Sequence, residues 1–353
     1  MSKYLSKRLV PLKAYVPGEQ PQDKKYVKLN TNECPFPPSP FAERLARQAA
    51  GSLNLYSDPE CRVLTAVAAE AFGVQPEQMI FTNGSDEVLN FAFIAFCDAE
   101  APAVFPDITY GFYPVFAELN GVPYREIPLT QDFRVDVRDY LNVKGTIFLA
   151  NPNAPTGIAL ERADIEEIVR SNPENVVVVD EAYVDFGGES ALPLIDRYDN
   201  LLVTRTFSKS YSLAGGRLGI GFASSALIAD LKKIKYSTNP YNVNSMTAAA
   251  GVGALADKDY YESNMRVIKE NRTYLSDSLK GFGFEVLPSS ANFIFSKCTG
   301  ISGEQLYKQL KEKGVLVRYF DKERLRDYVR ISIGSKDEVD ALLAGVKAIK
   351  EGV

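Results

Sequence analysis

The segment Val176-Val177-Val178-Val179-Asp180-Glu181-Ala182-Tyr183 places two carboxylates directly after a run of four valines. Four consecutive β-branched residues predict a strand that is buried on both faces, which is typical of a mostly parallel sheet. Open α/β sheets bind their ligands at the carboxyl ends of such strands. The segment therefore predicts an α/β fold and a ligand site beside Asp180 and Glu181.

Short apolar runs and longer amphipathic stretches alternate on both sides of the valine run. This alternation predicts a mostly parallel sheet that is sandwiched by helices. The predicted strands are 79–82, 103–105, 146–150, 176–180 and 201–206, and the predicted helices are 86–97, 111–120 and 161–170.

The pattern changes after Gly253, where the spacing predicts fewer, antiparallel strands with helices on one side. The predicted strands there are 284–287, 292–295, 315–319 and 329–333, and the predicted helices are 257–280, 304–313 and a last one from 336. We therefore expect a proline-punctuated arm of residues 1–30 that packs with the small domain, a large ligand-binding domain of residues 31–250, and a small α+β domain of residues 251–353.

The composition excludes several classes of mechanism. Among 353 residues there is no histidine, so imidazole bases and imidazole-based metal sites are excluded. The net charge of -5, without a basic block, disfavours nucleic acid and anionic membranes as partners. Because no apolar run has the length of a signal peptide or a membrane span, we expect a cytoplasmic protein. Proton transfer must then fall to another shifted side chain or to a cofactor.

Three further segments place polar side chains at predicted strand ends. Gly84-Ser85-Asp86 opens a predicted helix, whose N-terminus can cradle an anion. Thr206-Phe207-Ser208-Lys209 sets a lysine beside hydroxyls, and Gly215-Gly216-Arg217 adds a guanidinium. Together with Asp180 these groups suit pyridoxal phosphate, which needs a lysine amine for its imine, a carboxylate at its pyridine nitrogen and a phosphate cup.

The chain resembles the fold type I pyridoxal phosphate aminotransferases, and in finer detail the histidinol-phosphate aminotransferases of histidine biosynthesis. The resemblance extends from residues 29–33 to 329–334, and it rests on the order of Asn151-Pro152-Asn153-Ala154-Pro155-Thr156-Gly157, Asp180-Glu181-Ala182-Tyr183 and Ser208-Lys209. It implies a pyridoxal 5'-phosphate cofactor, a homodimer, and transamination of histidinol phosphate with 2-oxoglutarate to imidazole-acetol phosphate and glutamate.

The resemblance also implies roles for individual residues. Lys209 matches the Schiff-base lysine that carries the proton, Asp180 the partner of the pyridine nitrogen, and Tyr183 a hydrogen-bond partner of the ring oxygen. A tyrosine that matches Tyr56 reaches the cofactor phosphate of the partner subunit, which implies an obligate dimer. The aromatic residue that stacks on the ring face is matched by Tyr110. The residues that match the phosphate cup are Gly84, Ser85, Asp86, Thr206, Ser208 and Arg217.

One position departs from the family pattern. The asparagine that usually binds the ring oxygen directly precedes Pro-Thr-Gly, and here that residue is Ala154, which cannot donate a hydrogen bond. Either Asn153 supplies the bond through a different turn, or Tyr183 serves alone.

On the substrate side, Arg330 and Arg318 match anion-binding arginines of the family. Guanidinium groups suit both a phosphate and a carboxylate, which must bind in turn. Tyr15 and Asn32 resemble residues that close the pocket from the N-terminal arm.

Other functions share this machinery. An aromatic amino acid aminotransferase and a threonine-phosphate decarboxylase remain alternatives within the fold. A regulator that joins the fold to a DNA-binding domain is disfavoured, because only 27 residues precede Lys28 in a net acidic chain.

Overall fold

The computed structural model describes residues 2–352. These residues contain thirteen strands: β1 (Val27–Lys28), β2 (Met79–Thr82), β3 (Ala103–Pro106), β4 (Tyr124–Ile127), β5 (Thr146–Ala150), β6 (Val177–Asp180), β7 (Leu201–Thr206), β8 (Gly219–Ala223), β9 (Phe284–Val286), β10 (Phe293–Cys298), β11 (Val315–Leu316), β12 (Arg318–Tyr319) and β13 (Tyr328–Ser332).

Ten α-helices connect and cover these strands within the described residues. They are α1 (Pro40–Ala49), α2 (Arg62–Phe72), α3 (Ser85–Phe96), α4 (Phe112–Asn120), α5 (Arg162–Ser171), α6 (Ser225–Thr238), α7 (Ser245–Ala256), α8 (Lys258–Gly281), α9 (Gly303–Glu312) and α10 (Lys336–Glu351). Between residues 2 and 352, none of the helices is both long enough and apolar enough to cross a lipid bilayer.

The valine strand β6 lies in the middle of a seven-stranded sheet of order β2-β8-β7-β6-β5-β3-β4. All neighbours are parallel except β8, which runs antiparallel to β2 and β7. Val177 and Val179 pack into one core cluster and Val178 into the cluster on the opposite face. Both faces of the strand are therefore buried, and the predicted α/β fold class is confirmed.

A second, antiparallel sheet has the order β12-β13-β10-β9. Side chains from α8, α9 and α10, among them Ile268, Leu310 and Leu342, form a hydrophobic core with this sheet. The short strand β1 pairs in parallel with β11, so the beginning of the chain lies against its C-terminal part.

Several features of the fold differ from the sequence prediction, which lacks β4, β8 and α6. The prediction of one strand over residues 315–319 is wrong, because β11 pairs with β1 whereas β12 pairs with β13. Helix α7 was not predicted, since its alanines and glycines are covered on several sides and show no amphipathic period. A Cβ added to Gly253 would lie 2.5 Å from the Cα of Ala42 in α1, which shows how closely these helices pack.

The register of the large sheet positions the site. Ala150 at the end of β5 pairs with Asp180 at the end of β6, and Asp180 pairs with Thr204 in β7. The loops that follow these parallel strands therefore leave the sheet at the same edge.

Candidate active site

A cavity of about 430 Å³ lies at this edge of the large sheet, and the N-terminal segment and the second sheet close its other side. Most of the predicted site residues line it. They are Tyr15, Asn32, Ser85, Asp86, Tyr110, Asp180, Tyr183, Thr206, Ser208, Lys209, Arg217, Arg318 and Arg330. The described residues contain no group of three or more cysteine and acidic side chains that could hold a metal ion.

Lys209 follows β7, and its amine points into the cavity wall formed by the N-terminal segment. Its Nζ donates to the backbone oxygen of Thr31 at 3.2 Å, and it forms no ion pair with a described carboxylate. Burial and, after it, the nearby Arg330 guanidinium lower the pKa of Lys209 to about 8, against the opposing effect of Glu33. Roughly a tenth of the amine is therefore neutral near pH 7.

Asp180 ends β6 and is 4% exposed. Its oxygens accept hydrogen bonds from Thr204 Oγ1 at 3.0 Å and from Tyr113 Oη at 3.3 Å. Burial raises the pKa of this carboxyl to about 7, because no cation among the described residues compensates its charge. The carboxyl group lacks a positively charged partner on the cavity side, which a ligand N–H could supply.

Tyr183 stands beside Lys209, with the lysine Nζ 5.7 Å from the centre of the ring. Its hydroxyl accepts a hydrogen bond from Asn32 Nδ2 at 3.0 Å, and burial raises its pKa. Asn32 is fixed in turn by Ser332 of β13, which donates to Asn32 Oδ1 at 2.9 Å. Through Asn32, these hydrogen bonds link Tyr183, which follows β6 of the large sheet, to β13 of the second sheet.

An anion cradle forms where α3 begins. Gly84 caps the helix with a φ of 81°, and the Arg217 guanidinium lies against it, 3.1 Å from Asp86 Oδ2 and 3.5 Å from Ser208 Oγ. A Cβ on Gly84 would collide with that guanidinium, and a Cβ on Gly219 would collide with the helix N-terminus. The amides of a helix N-terminus, the helix dipole and a guanidinium at one point suit a phosphate group.

Two more predicted residues complete this side of the cavity. Thr206 is buried, and its hydroxyl accepts a hydrogen bond from the Ser208 amide at 3.1 Å. Tyr110 donates to Asp86 Oδ1 at 2.7 Å, and burial raises the pKa of its hydroxyl well above the ordinary value. The ring of Tyr110 is thereby tethered beside the cradle.

The two predicted arginines differ in how much of each is available to a ligand. Arg330 in β13 donates from Nη2 to the Asn30 oxygen at 3.1 Å, whereas its Nε is buried without a partner. Burial lowers its pKa. Arg318 donates to the backbone oxygens of Val16 at 2.8 Å and Pro17 at 2.9 Å. Arg330 therefore keeps a free donor, while Arg318 holds the N-terminal arm.

The arm reaches the cavity at Tyr15. Its ring stacks on Phe112 with centroids 4.1 Å apart, and burial raises its pKa. Tyr15 and Arg318 both line the cavity, so the arm and the arginine that holds it form part of the cavity wall.

Three predicted residues do not line the cavity, namely Gly84, which caps α3 in the cradle, and Asn153 and Tyr56. Asn153 donates to the Ile108 oxygen at 3.0 Å and to Thr156 Oγ1 at 3.1 Å, and it accepts from Thr109 Oγ1 at 2.9 Å. These bonds turn it away, and Ala154 lines the cavity instead. Tyr56 is 83% exposed and stacks on Tyr241.

Sequence reasoning missed Tyr113 and Thr204, which bind Asp180. Thr204 could have been found, because it is a hydroxyl inside the buried apolar strand β7. Tyr113 had no such signal, since it lies 67 positions from Asp180 and reaches it only through packing of α4.

Comparison with known proteins agrees with this geometry. Residues 24–346 match the family model described as aminotransferase class I and II. Histidinol-phosphate aminotransferases of Syntrophus aciditrophicus and Brachyspira hyodysenteriae are 47% and 44% identical, over 98% and 99% of both chains. The crystal structure of histidinol-phosphate aminotransferase from Sinorhizobium meliloti, in complex with pyridoxal-5'-phosphate, has a TM-score of 0.89 at 26% identity and covers 99% of this chain and 100% of that one. The chain therefore belongs to the class I and II aminotransferases and, among them, to the histidinol-phosphate aminotransferase family.

Proposed function

We propose that the protein transfers the amino group of histidinol phosphate to 2-oxoglutarate, giving imidazole-acetol phosphate and glutamate, with pyridoxal 5'-phosphate as cofactor. The observation that carries the reaction class is one cavity that contains a lysine with a lowered pKa opposite a buried carboxyl without a cation. The names of the full-length relatives carry the choice of substrate.

The donor set fits the cofactor at three separate points. Asp180 lacks a positive partner that a protonated pyridine nitrogen would supply. The cradle at Gly84 is closed to a side chain but open to a phosphate, with Ser85, Asp86, Thr206, Ser208 and Arg217 around it. Lys209, Tyr183 and Tyr110 line the same cavity. Because Asn153 is turned away, we assign the ring oxygen to Tyr183 alone.

Each residue then has a defined task. When bound, the cofactor supplies an electron-withdrawing ring for the substrate carbon that loses its proton. Asp180 would accept a charge-assisted hydrogen bond from the protonated ring nitrogen and would so keep the positive charge there. Lys209 holds the cofactor through its amine and, once neutral and free, moves the proton at the substrate carbon. Its pKa of about 8 suits that task near neutral pH.

Arg330 binds the substrate anion, first the phosphate of histidinol phosphate and then a carboxylate of 2-oxoglutarate. Its unpartnered Nε and its burial support this assignment, because a desolvated guanidinium gains most from an anion. Arg318 acts mainly by holding the arm over the site, and it turns to the same anion only if it releases Val16 and Pro17.

We further propose the division into an arm of residues 1–30, a large domain of residues 31–250 and a small domain of residues 251–353. The separate cores of the two larger sheets support two domains, although the boundary at residue 250 falls inside α7, whose Ala254 and Leu255 pack into the core of the large sheet. We also propose a cytoplasmic homodimer in which Tyr56 reaches the partner's cofactor phosphate. The exposed ring of Tyr56, with Leu55 and Val63 exposed nearby in the chain, supports an interface there.

A steady-state assay of the purified protein with 2-oxoglutarate tests the function. We expect turnover of histidinol phosphate to exceed that of phenylalanine, and no release of carbon dioxide from threonine phosphate. Preference for phenylalanine or decarboxylation of threonine phosphate would replace the proposal with one of those activities.

A further inference from the structure

The cavity wall contains three carboxyl groups, and two of them face the cofactor end. Asp180 lies on the floor between Thr204 and Tyr113. Asp86 is bound by Arg217 and Tyr110 in the anion cradle. The third is Glu33, on the opposite wall formed by the N-terminal segment, and the mechanism above gives it no task.

Glu33 lies close to the reacting amine. Lys209 Nζ donates to the Thr31 oxygen at 3.2 Å, and the Thr31 hydroxyl donates to Glu33 Oε2 at 2.7 Å. The electrostatic effect of Glu33 on Lys209 also places the two groups near each other. A substrate whose amino-bearing carbon meets Lys209 therefore has Glu33 on a neighbouring part of the cavity wall.

The carboxylate is held in place but still has acceptor capacity. Lys28 Nζ donates to Oε1 at 2.8 Å and to Oε2 at 2.7 Å. A carboxylate has about four acceptor positions, so Oε1 keeps one beside the single bond from Lys28. Partial burial opposes ionisation, but the bonds from Lys28 and Thr31 outweigh it and lower the pKa of Glu33. Glu33 is therefore a fixed anion at neutral pH.

Apart from Asp180 and Asp86 at the cofactor end, the other charged side chains that line the cavity are positive. Lys209, Arg217, Arg318 and Arg330 line the cavity as donors only, so they attract the phosphate but offer no acceptor to an imidazole N–H. An imidazole ring always carries at least one N–H donor, and a phenyl ring has none. We propose, on the basis of the function above, that Glu33 accepts a hydrogen bond from the imidazole N–H and so selects this ring over a phenyl ring.

The test compares two substrates that differ only in the ring. L-histidinol phosphate and L-phenylalaninol phosphate are assayed with the holoenzyme and its Glu33→Gln and Glu33→Met variants. Loss of one hydrogen bond to a charged group corresponds to about a 10- to 100-fold loss. We expect kcat/KM for the imidazole substrate to fall by about that factor in Glu33→Met and by less in Glu33→Gln, which keeps a neutral acceptor. The value for the phenyl substrate should stay constant within about threefold.

Lys28→Met provides the matched control, because it breaks the ion pair but leaves the carboxylate, and Lys28 does not line the cavity. It should keep most of the preference for imidazole. Equal losses for both substrates in the Glu33 variants, or a Lys28→Met variant that loses the preference as fully as Glu33→Met, would overturn the proposal. A wild-type enzyme that fails to act on histidinol phosphate would instead overturn the proposed function.

Discussion

Replacing Asp180 with asparagine should stabilise the cofactor-free protein while it disables the enzyme. The folded-state pKa of Asp180 is raised from 3.8 to about 7, since the buried carboxylate has no cation. Each pKa unit corresponds to about 1.4 kcal/mol, so ionised Asp180 costs the cofactor-free fold roughly 4 kcal/mol above pH 7. Asparagine keeps an oxygen for Thr204 and Tyr113 but never ionises.

The sign of the pH dependence follows from the raised pKa. The folded protein binds this proton more tightly than the unfolded chain, so the wild-type free energy of unfolding falls as pH rises from about 4 to about 7. Asp180→Asn lacks this loss. Its stability relative to wild type should therefore rise by roughly 2 to 3 kcal/mol between about pH 5 and pH 8.

Urea unfolding of both proteins without cofactor, at several pH values in this range, measures the difference. Asp98→Asn is the control, because backbone hydrogen bonds from Ala101 and Glu100 lower the pKa of that exposed carboxyl. The free energy of unfolding of Asp98→Asn should be lower than that of wild type, and this difference should not change over the same pH range. A pH-independent difference for Asp180→Asn would refute the claim that Asp180 is an uncompensated buried acid. With cofactor added, the variant should still bind it but lose most turnover.

Three other substitutions test the remaining parts of the site. Lys209→Ala should abolish turnover and remove the visible absorbance of the lysine-bound cofactor, and an unchanged spectrum would place the attachment elsewhere. Gly84→Ala should weaken cofactor affinity by about 10- to 100-fold, because a Cβ there is strained by the positive φ and collides with Arg217. Gly314→Ala, with a φ of 85° and open space, is its control and should leave affinity unchanged. Mixed dimers of Tyr56→Ala and Lys209→Ala chains should recover activity that neither variant has alone, whereas no recovery would contradict a shared site.

Local sequence was enough to predict the strand ends and their chemistry. Asp180 and Lys209 follow apolar runs directly, and the buried sheet fixes where those runs end. Side-chain direction was not predictable in the same way. Asn153 lies in the predicted turn, but its side-chain amide donates hydrogen bonds to Ile108 and Thr156 instead of pointing into the cavity. Its position in the sequence did not determine the direction of its side chain.

Contacts between distant segments were also beyond the sequence. The predicted role of Arg318 rested on its strand, and only the fold shows that its donors meet the Val16 and Pro17 oxygens, some 300 positions away. Tyr113 reaches Asp180 by the same kind of long-range packing. Neither contact follows from periodicity or propensity, because both depend on how whole elements are placed.

The half-reaction tests the central claim most directly. The purified holoenzyme is mixed with histidinol phosphate in the absence of any amino acceptor, and the visible absorbance of the lysine-bound cofactor is followed. We predict that the absorbance disappears as the amino group is transferred, and that 2-oxoglutarate restores it. Absorbance that persists with histidinol phosphate but disappears with phenylalanine would contradict the account.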